Sequence, residues 1–164
     1  MPFNEDSRVK IPAILHLIRL GYSYLSKDGA VWDESTNIFP DIFKESVARI
    51  NTGKRLEDDD LKRLQAETAL LLDNEDMGKA FYERLVYQSG IRLIDFENFD
   101  NNSFHVLTEL PCINGDEEFR PDITLLINGM PLVFIEVKKP NNQDGVLAER
   151  KRIDDRFKNP KFRR

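Results

Sequence analysis

Residues 120–140 read RPDITLLINGMPLVFIEVKKP, and how this stretch folds back on itself decides the architecture around it. DITLLI and PLVFIEV are short, β-rich apolar runs, and the Asn128-Gly129 pair between them is a strong hairpin signal. Asp122 stands at the outer end of the first run, Glu136 and Lys138 at the end of the second. Ionised groups in such places are costly to desolvate unless a metal ion or a phosphate is paired with them. The hairpin is therefore where chemistry is expected.

On a strand, residues two apart share a face, so Glu136 and Lys138 point one way and Val137 the other. A two-residue Asn128-Gly129 turn would pair Asp122 with Ile135 and put the aspartate on the wrong face. A three-residue loop of Ile127, Asn128 and Gly129, with Gly129 left-handed in a bulge, pairs it with Phe134 and restores the face. Asp122 and Glu136 then become diagonal neighbours about 7 to 8 Å apart at the backbone. Two carboxylates suit a hard divalent ion such as Mg²⁺, which takes oxygen ligands, keeps several waters and binds substrate phosphate. The Val137 carbonyl is a natural further ligand. Lys138 is placed to orient the attacking water and to offset the charge that grows on the phosphate.

The rest of the chain frames this hairpin. Ser7–Leu20 carries Ile11, Ile14, Leu15 and Ile18 on one helical face, with Pro12 tolerable in the first turn and Gly21 as the stop. Further helices are expected over 40–50 (Phe43, Val47, Ile50 inward), from the acidic Glu57–Asp60 onward (Leu61, Leu64, Thr68, then Leu71 or Leu72) and over 75–89 (Met77, Phe81, Leu85). The EDDD run reads as helix N-terminal charge favoured by the backbone dipole. After Gly90, IRLIDF, SFHVLTEL, DITLLI and PLVFIEV predict four strands. Beyond Pro140, VLAERKRIDDRF predicts a helix with Val146 or Leu147, Ile153 and Phe157 as its apolar side. The expected class is α+β in one domain over 1–164: a mainly helical lead-in over 1–90, then a sheet with the catalytic motif and a basic C-terminal helix over 91–164. The closing run KNPKFRR predicts that the chain is a piece of a longer polypeptide.

With 40% hydrophobic and 32% charged residues and no apolar run near the roughly 20 residues of a membrane span, the chain has the composition of a soluble domain and no membrane partner. MPFNEDSRVK lacks the apolar stretch of an export signal, and Cys112 is the single cysteine, so a cytoplasmic setting is expected. The net charge of −5 is unevenly spread: residues 141–164 hold eight Lys or Arg against four Asp or Glu, which leaves +4 there and −9 in residues 1–140. His16 and His105 have no partner at metal-ligand spacing and read as structural. Met77-Gly78-Lys79 ends like a phosphate loop, but no glycine stands five residues before Gly78, so no ATP is expected on this chain. Trp32 and Phe39 read as packing residues.

Pro121-Asp122 and Glu136-Val137-Lys138 resemble the PD-(D/E)xK nuclease motif, and LIDFENFDNNSFHVLTEL followed by FRPDITLLINGMPLVFIEVKKP is similar to the N-terminal endonuclease region of R (restriction) subunits of type I restriction enzymes. The resemblance implies a restriction-endonuclease-like core, a central mixed sheet flanked by helices. It implies Asp122 and Glu136 as metal ligands, Lys138 as the catalytic lysine and Mg²⁺ as cofactor. Double-stranded DNA and the methylation and specificity subunits are the implied partners, and ATP serves a motor outside this chain. Many relatives carry a glutamine and a tyrosine in the helix after the motif; here no tyrosine follows Tyr87, and Lys139, Arg150, Arg152 and Arg156 are the candidate DNA contacts. Related nucleases also use a glutamate from an early helix, for which Glu5 and Glu83 both qualify. Two rival readings are a non-catalytic module of the same fold that docks partner subunits, and a free-standing repair or recombination nuclease; the intact triad argues against the first and the acidic net charge against the second.

Overall fold

The computed structural model describes residues 4–54, 56–72, 76, 78–87, 90–114, 117–138 and 143–158. A π-helical turn, Asp6–Lys10, runs without a break into α1, Ile11–Arg19. The helix stops where Gly21 turns left-handed (φ 101°). The Gly21 and Tyr22 N–H groups donate back to the Ile18 and Leu17 carbonyls at 3.0 and 3.1 Å, a Schellman closure that only a glycine accommodates cheaply. The chain then enters β1, Ser23–Tyr24.

The helices α2 (Pro40–Ile50), α3 (Asp58–Leu72) and α4 (Lys79–Tyr87) follow. Their inward residues Phe43, Val47, Leu61, Leu64, Phe81 and Leu85 form one core with Ile38, Leu93, Ile94 and Met130. Asp58, Asp59 and Asp60 occupy the first turn of α3, and Asp60 accepts the Glu57 N–H at 3.0 Å, which fits the role of N-terminal charge. Met77 lies outside the described residues. Trp32 stacks on the buried Phe39, ring centroids 5.9 Å apart.

The main sheet contains β2 (Phe104–Thr108), β5 (Ile123–Ile127) and β6 (Met130–Ile135) in the order β1-β2-β5-β6, with β1 parallel to β2 and the others antiparallel. A separate hairpin pairs β3 (Cys112–Asn114) with β4 (Glu117–Phe119), and α5, Gln143–Lys158, closes the described chain. Helices followed by a mixed sheet make an α+β arrangement. Both faces of the sheet are covered: Val106, Ile123, Leu125 and Val137 pack on the α1 side, Leu107 and Leu126 on Phe39 and Leu110. This double burial is why ITLLI, apolar but for Thr124, does not alternate. Burial also pushes the Cys112 thiol up to about 11.

Three expectations change. IRLIDF is not a strand: residues 91–96 run irregularly. Their backbone groups bond to amide side chains instead of a neighbouring strand, the Arg92 N–H and C=O to Asn51 at 2.8 Å each and the Asp95 N–H to Asn102 at 2.9 Å. Ser23–Tyr24 supplies the fourth strand. On α1 Ala13, Ile14 and Leu17, with Val9 of the π turn, are half-buried against the sheet, while Ile11, Leu15 and Ile18 stay 50%, 51% and 41% exposed. Apolar residues surround this helix, and the wider π turn rotates its register, so periodicity alone does not select the inward stripe.

Candidate active site at the end of the hairpin

The β5–β6 turn has two residues, with Asn128 at φ 52° and Gly129 at φ 79°, the left-handed pair a tight hairpin requires. The register runs Ile127↔Met130, Leu126↔Pro131, then Leu125↔Val133, Thr124↔Phe134 and Ile123↔Ile135. Leu132 is therefore an extra residue. The expected three-residue loop is corrected: a bulge inside β6 shifts the register in the other direction and leaves Asp122 opposite Glu136, not diagonal to it. Pro131, which has no N–H for the ladder, sits beside the break.

The turn is anchored far from the site. Asn128 is fully buried; it donates to the Leu93 carbonyl and Asn102 Oδ1 at 2.8 Å each and accepts the Ser103 N–H at 2.8 Å. The Gly129 carbonyl accepts the Phe39 N–H at 2.9 Å. A Cβ on Gly129 would lie 2.7 Å from both Phe39 O and Phe43 N, so the turn locks against the start of α2.

Continuing the registers Thr108↔Ile123 and Ile123↔Ile135 by one residue sets Glu109, Asp122 and Glu136 in a row across the sheet's end. Glu109 has φ 52°; its N–H donates to the Pro121 carbonyl at 3.1 Å and its own carbonyl accepts Lys27 Nζ at 2.7 Å. The Val137 N–H donates to Asp122 Oδ2 at 2.9 Å. Lys10, reaching from the π turn with its side chain 11% exposed, holds Asp122 Oδ1 at 3.3 Å, Glu109 Oε1 at 2.9 Å and Asp6 Oδ1 at 3.3 Å.

The Asp122 and Glu136 carboxyls influence each other and titrate apart. Burial works to raise Asp122, but the Val137 N–H, Glu136 and the Lys10 ammonium outweigh it and hold its carboxyl below the usual range. Burial pushes Glu136 up, reinforced by its hydrogen bond to Asp122 and by the Asp122 and Glu149 charges. Burial disfavours the Lys10 charge, yet its bonds to Glu109, Asp122 and Asp6 hold it above the ordinary lysine value.

Lys138 Nζ lies 3.8 Å from Glu136 Oε2 and 3.3 Å from Glu149 Oε2. Glu149, on α5, is only 6% exposed and also pairs with Arg152. The expected apolar side of α5 is corrected in part: Val146 and Leu147 are 55% and 64% exposed and the Glu149 carboxylate faces inward toward Lys138, while Ile153 lines the cleft and the Phe157 side chain lies outside the described residues. Between β6 and α5 opens a cleft of about 510 Å³ lined by Phe134, Glu136, Lys138, Glu149, Arg150 and Ile153. Arg150 stands at the cleft and Arg152 is exposed; Lys139 and the Arg156 side chain lie outside the described residues.

Of the two early glutamates, Glu83 pairs with Lys79 at 3.8 Å on α4. Glu5 precedes the π turn that delivers Lys10, and its Oε1 is buried without a hydrogen-bond partner among the described residues. Among the described residues no three His, Cys, Asp or Glu side chains form a ready cage for a metal ion. Asp122 and Glu136 nonetheless fit Mg²⁺, which is commonly held by one or two carboxylates and its own waters. Glu5, Glu109, Glu149 and Lys10 carry no local pattern of their own. The only signal for Glu109 is a charged residue wedged between a strand and Pro111.

Comparison with known proteins shows the family. The family described as "Type I restriction enzyme R protein N terminus" matches residues 2–162. The putative type I restriction enzyme MjaIXP endonuclease subunit of Methanocaldococcus jannaschii is 31% identical over 166 residues, covering 85% of this chain and 16% of that protein. The MjaVIIP endonuclease subunit of the same organism is 49% identical over 47 residues (29% of this chain, 4% of that protein). The HindI endonuclease subunit of Haemophilus influenzae is 37% identical over 60 residues (36% and 6%). The chain thus spans about a sixth of the length of the MjaIXP endonuclease subunit. It belongs to the family of type I restriction enzyme R protein N-terminal regions.

Proposed function

We propose that residues 1–164 form a single nuclease domain with a PD-(D/E)xK core, the DNA-cleaving region of a type I restriction enzyme R subunit. It hydrolyses phosphodiester bonds of double-stranded DNA with Mg²⁺, working in the cytoplasm alongside methylation and specificity subunits. The observation that carries the reading is the pairing of Asp122 and Glu136 at the hairpin's end, with Lys138 3.8 Å from Glu136 at the edge of an open cleft.

In this mechanism Asp122, Glu136 and the Val137 carbonyl hold the ion. When bound, Mg²⁺ offsets phosphate charge and makes water a better nucleophile. The chain's own residues do the rest. Val137 N–H fixes the Asp122 rotamer, so the carboxylate is oriented before any ligand arrives. Lys138, held by Glu149, orients the attacking water and stabilises the charge that develops on the phosphate. Arg150 at the cleft contacts a neighbouring phosphate, supported by Arg152, Lys139 and Arg156 as further basic groups near it in sequence.

The test is Asp122→Asn in the assembled restriction enzyme. DNA cleavage should disappear while ATP hydrolysis and DNA binding persist, since Asp122 serves only the chemical step. Cleavage at the normal rate by this variant refutes the assignment.

A further inference from the structure

Lys10 is saturated in an unusual way: an ammonium has three N–H donors, and three carboxylates surround this one. Two of the three, Asp6 and Glu109, are 67% and 55% exposed; Asp122 is 25% exposed. The ammonium therefore bridges a solvated acidic lip and the middle carboxylate of the row. It occupies Asp122 Oδ1 while the Val137 N–H takes Oδ2, so both oxygens already have partners.

Glu109 is aimed at this ammonium by a backbone that few side chains tolerate. Its φ of 52° is fixed from both sides by the bonds to Pro121 and Lys27. Left-handed non-glycine residues persist only where the surroundings over-determine them, and they concentrate at working sites.

We propose that Lys10 is a positioning residue that acts as an internal counter-ion: it holds Asp122 ready and competes with a divalent cation for it, and Glu109 is the acceptor that retains Lys10 when the cation takes Asp122. The inference rests on the reading of Asp122 as a cation-holding residue. A divalent charge beside Asp122 repels the ammonium, which keeps two acceptors without leaving the site. The arrangement weakens cation loading of the empty site, so loading is favoured once a substrate phosphate adds its own oxygen ligands.

The experiment is Mn²⁺ binding to the 164-residue chain, read from the signal of free Mn²⁺ by electron paramagnetic resonance at about 0.1 M salt. Lys10→Met should bind Mn²⁺ about tenfold more tightly than the parent, and Lys10→Arg within about threefold of it, because removing a neighbouring positive charge strengthens the site. Glu109→Gln, a substitution at an exposed side chain, should bind about threefold more weakly, because Lys10 then leans harder on Asp122. That loss should vanish in Lys10→Met/Glu109→Gln. Equal or weaker binding by Lys10→Met with an unchanged circular dichroism spectrum overturns the proposal. So does a Glu109→Gln loss that persists without Lys10, since Glu109 would then be acting on the ion directly. Should Lys10→Met fail to fold, parent-like or tighter binding by Glu109→Gln overturns it. Asp122→Asn separates the two readings: undiminished Mn²⁺ binding by that variant removes the cation site itself, whereas its loss with no Lys10 effect removes the counter-ion alone.

Discussion

Asp122 and Glu136 form a split pair: set opposite each other at the strand ends, one carboxyl is held below its ordinary value and the other is pushed above it. Such divergence of two neighbouring carboxyls is a common mark of a site built for charge chemistry.

It also fixes a sign. Because Glu136 is raised above its ordinary 4.5, its contribution to stability is present below that pH and is lost as pH rises through the folded value. Glu136→Gln mimics the protonated acid at every pH. Without divalent cations it should therefore melt above the parent at pH 7, and the gap should close as pH falls below 4.5. Asp122 runs the other way: its contribution is present above its ordinary 3.8 and is lost as pH falls, so Asp122→Asn should melt below the parent at neutral pH. Calorimetry between pH 3 and 8, roughly the window in which carboxyls titrate, checks both; a Glu136→Gln variant less stable than the parent at neutral pH contradicts the first.

Glu149 should matter only through Lys138. In the assembled enzyme, Lys138→Ala should slow cleavage by about 10²–10³-fold, and Glu149→Gln by about tenfold, since it slackens a lysine that aids the transition state. Combined, the two should be no worse than Lys138→Ala alone. Additive rate losses would give Glu149 a separate role.

Gly129→Ala meets both a left-handed backbone and the backbone atoms Phe39 O and Phe43 N at 2.7 Å. A loss of about 3 kcal/mol or more in urea unfolding is expected. Asn128→Ala, which strands three bonded groups in a buried place, should lose about 2–4 kcal/mol. Both should lower cleavage only as far as they lower the folded fraction.

Charge sets how this chain meets DNA by itself. Residues 1–140 carry −9 and residues 141–164 carry +4, so duplex binding should be weak and should fall steeply as salt rises, with log affinity losing about 0.9 per phosphate contact. Plasmid incubated with the chain and Mg²⁺ at about 0.1 M salt should be nicked little or not at all. Arg150→Glu should remove the residual binding measured by fluorescence anisotropy; efficient cutting by the chain alone would contradict this.

The elements governed by local rules were legible in the sequence. The bounds of α2, the acidic start of α3, the Gly21 stop and the position of the Asn128-Gly129 turn all follow from periodicity and backbone preference. What escaped depends on partners distant in the chain. IRLIDF has a strand's composition, but Asn51 and Asn102 satisfy its backbone. The bulge at Leu132 carries a faint sign in Pro131. Lys10 and Glu109 are 99 residues apart, and nothing in either neighbourhood announces the other. Glu149 was hidden by the habit of assigning inward positions to apolar side chains.

The extra residue at Leu132 makes the length of the hairpin a matter of parity. Removing one residue between the turn and Ile135 would swing Val137's side chain into the cleft and send the Glu136 carboxylate toward α1, where Val9, Ala13 and Ile14 wait. Removing two would restore the faces but draw the carboxylate about 7 Å along the strand, away from Asp122. Spacing, more than the identity of the intervening side chains, is what this hairpin transmits, so Leu132 is more readily exchanged than deleted.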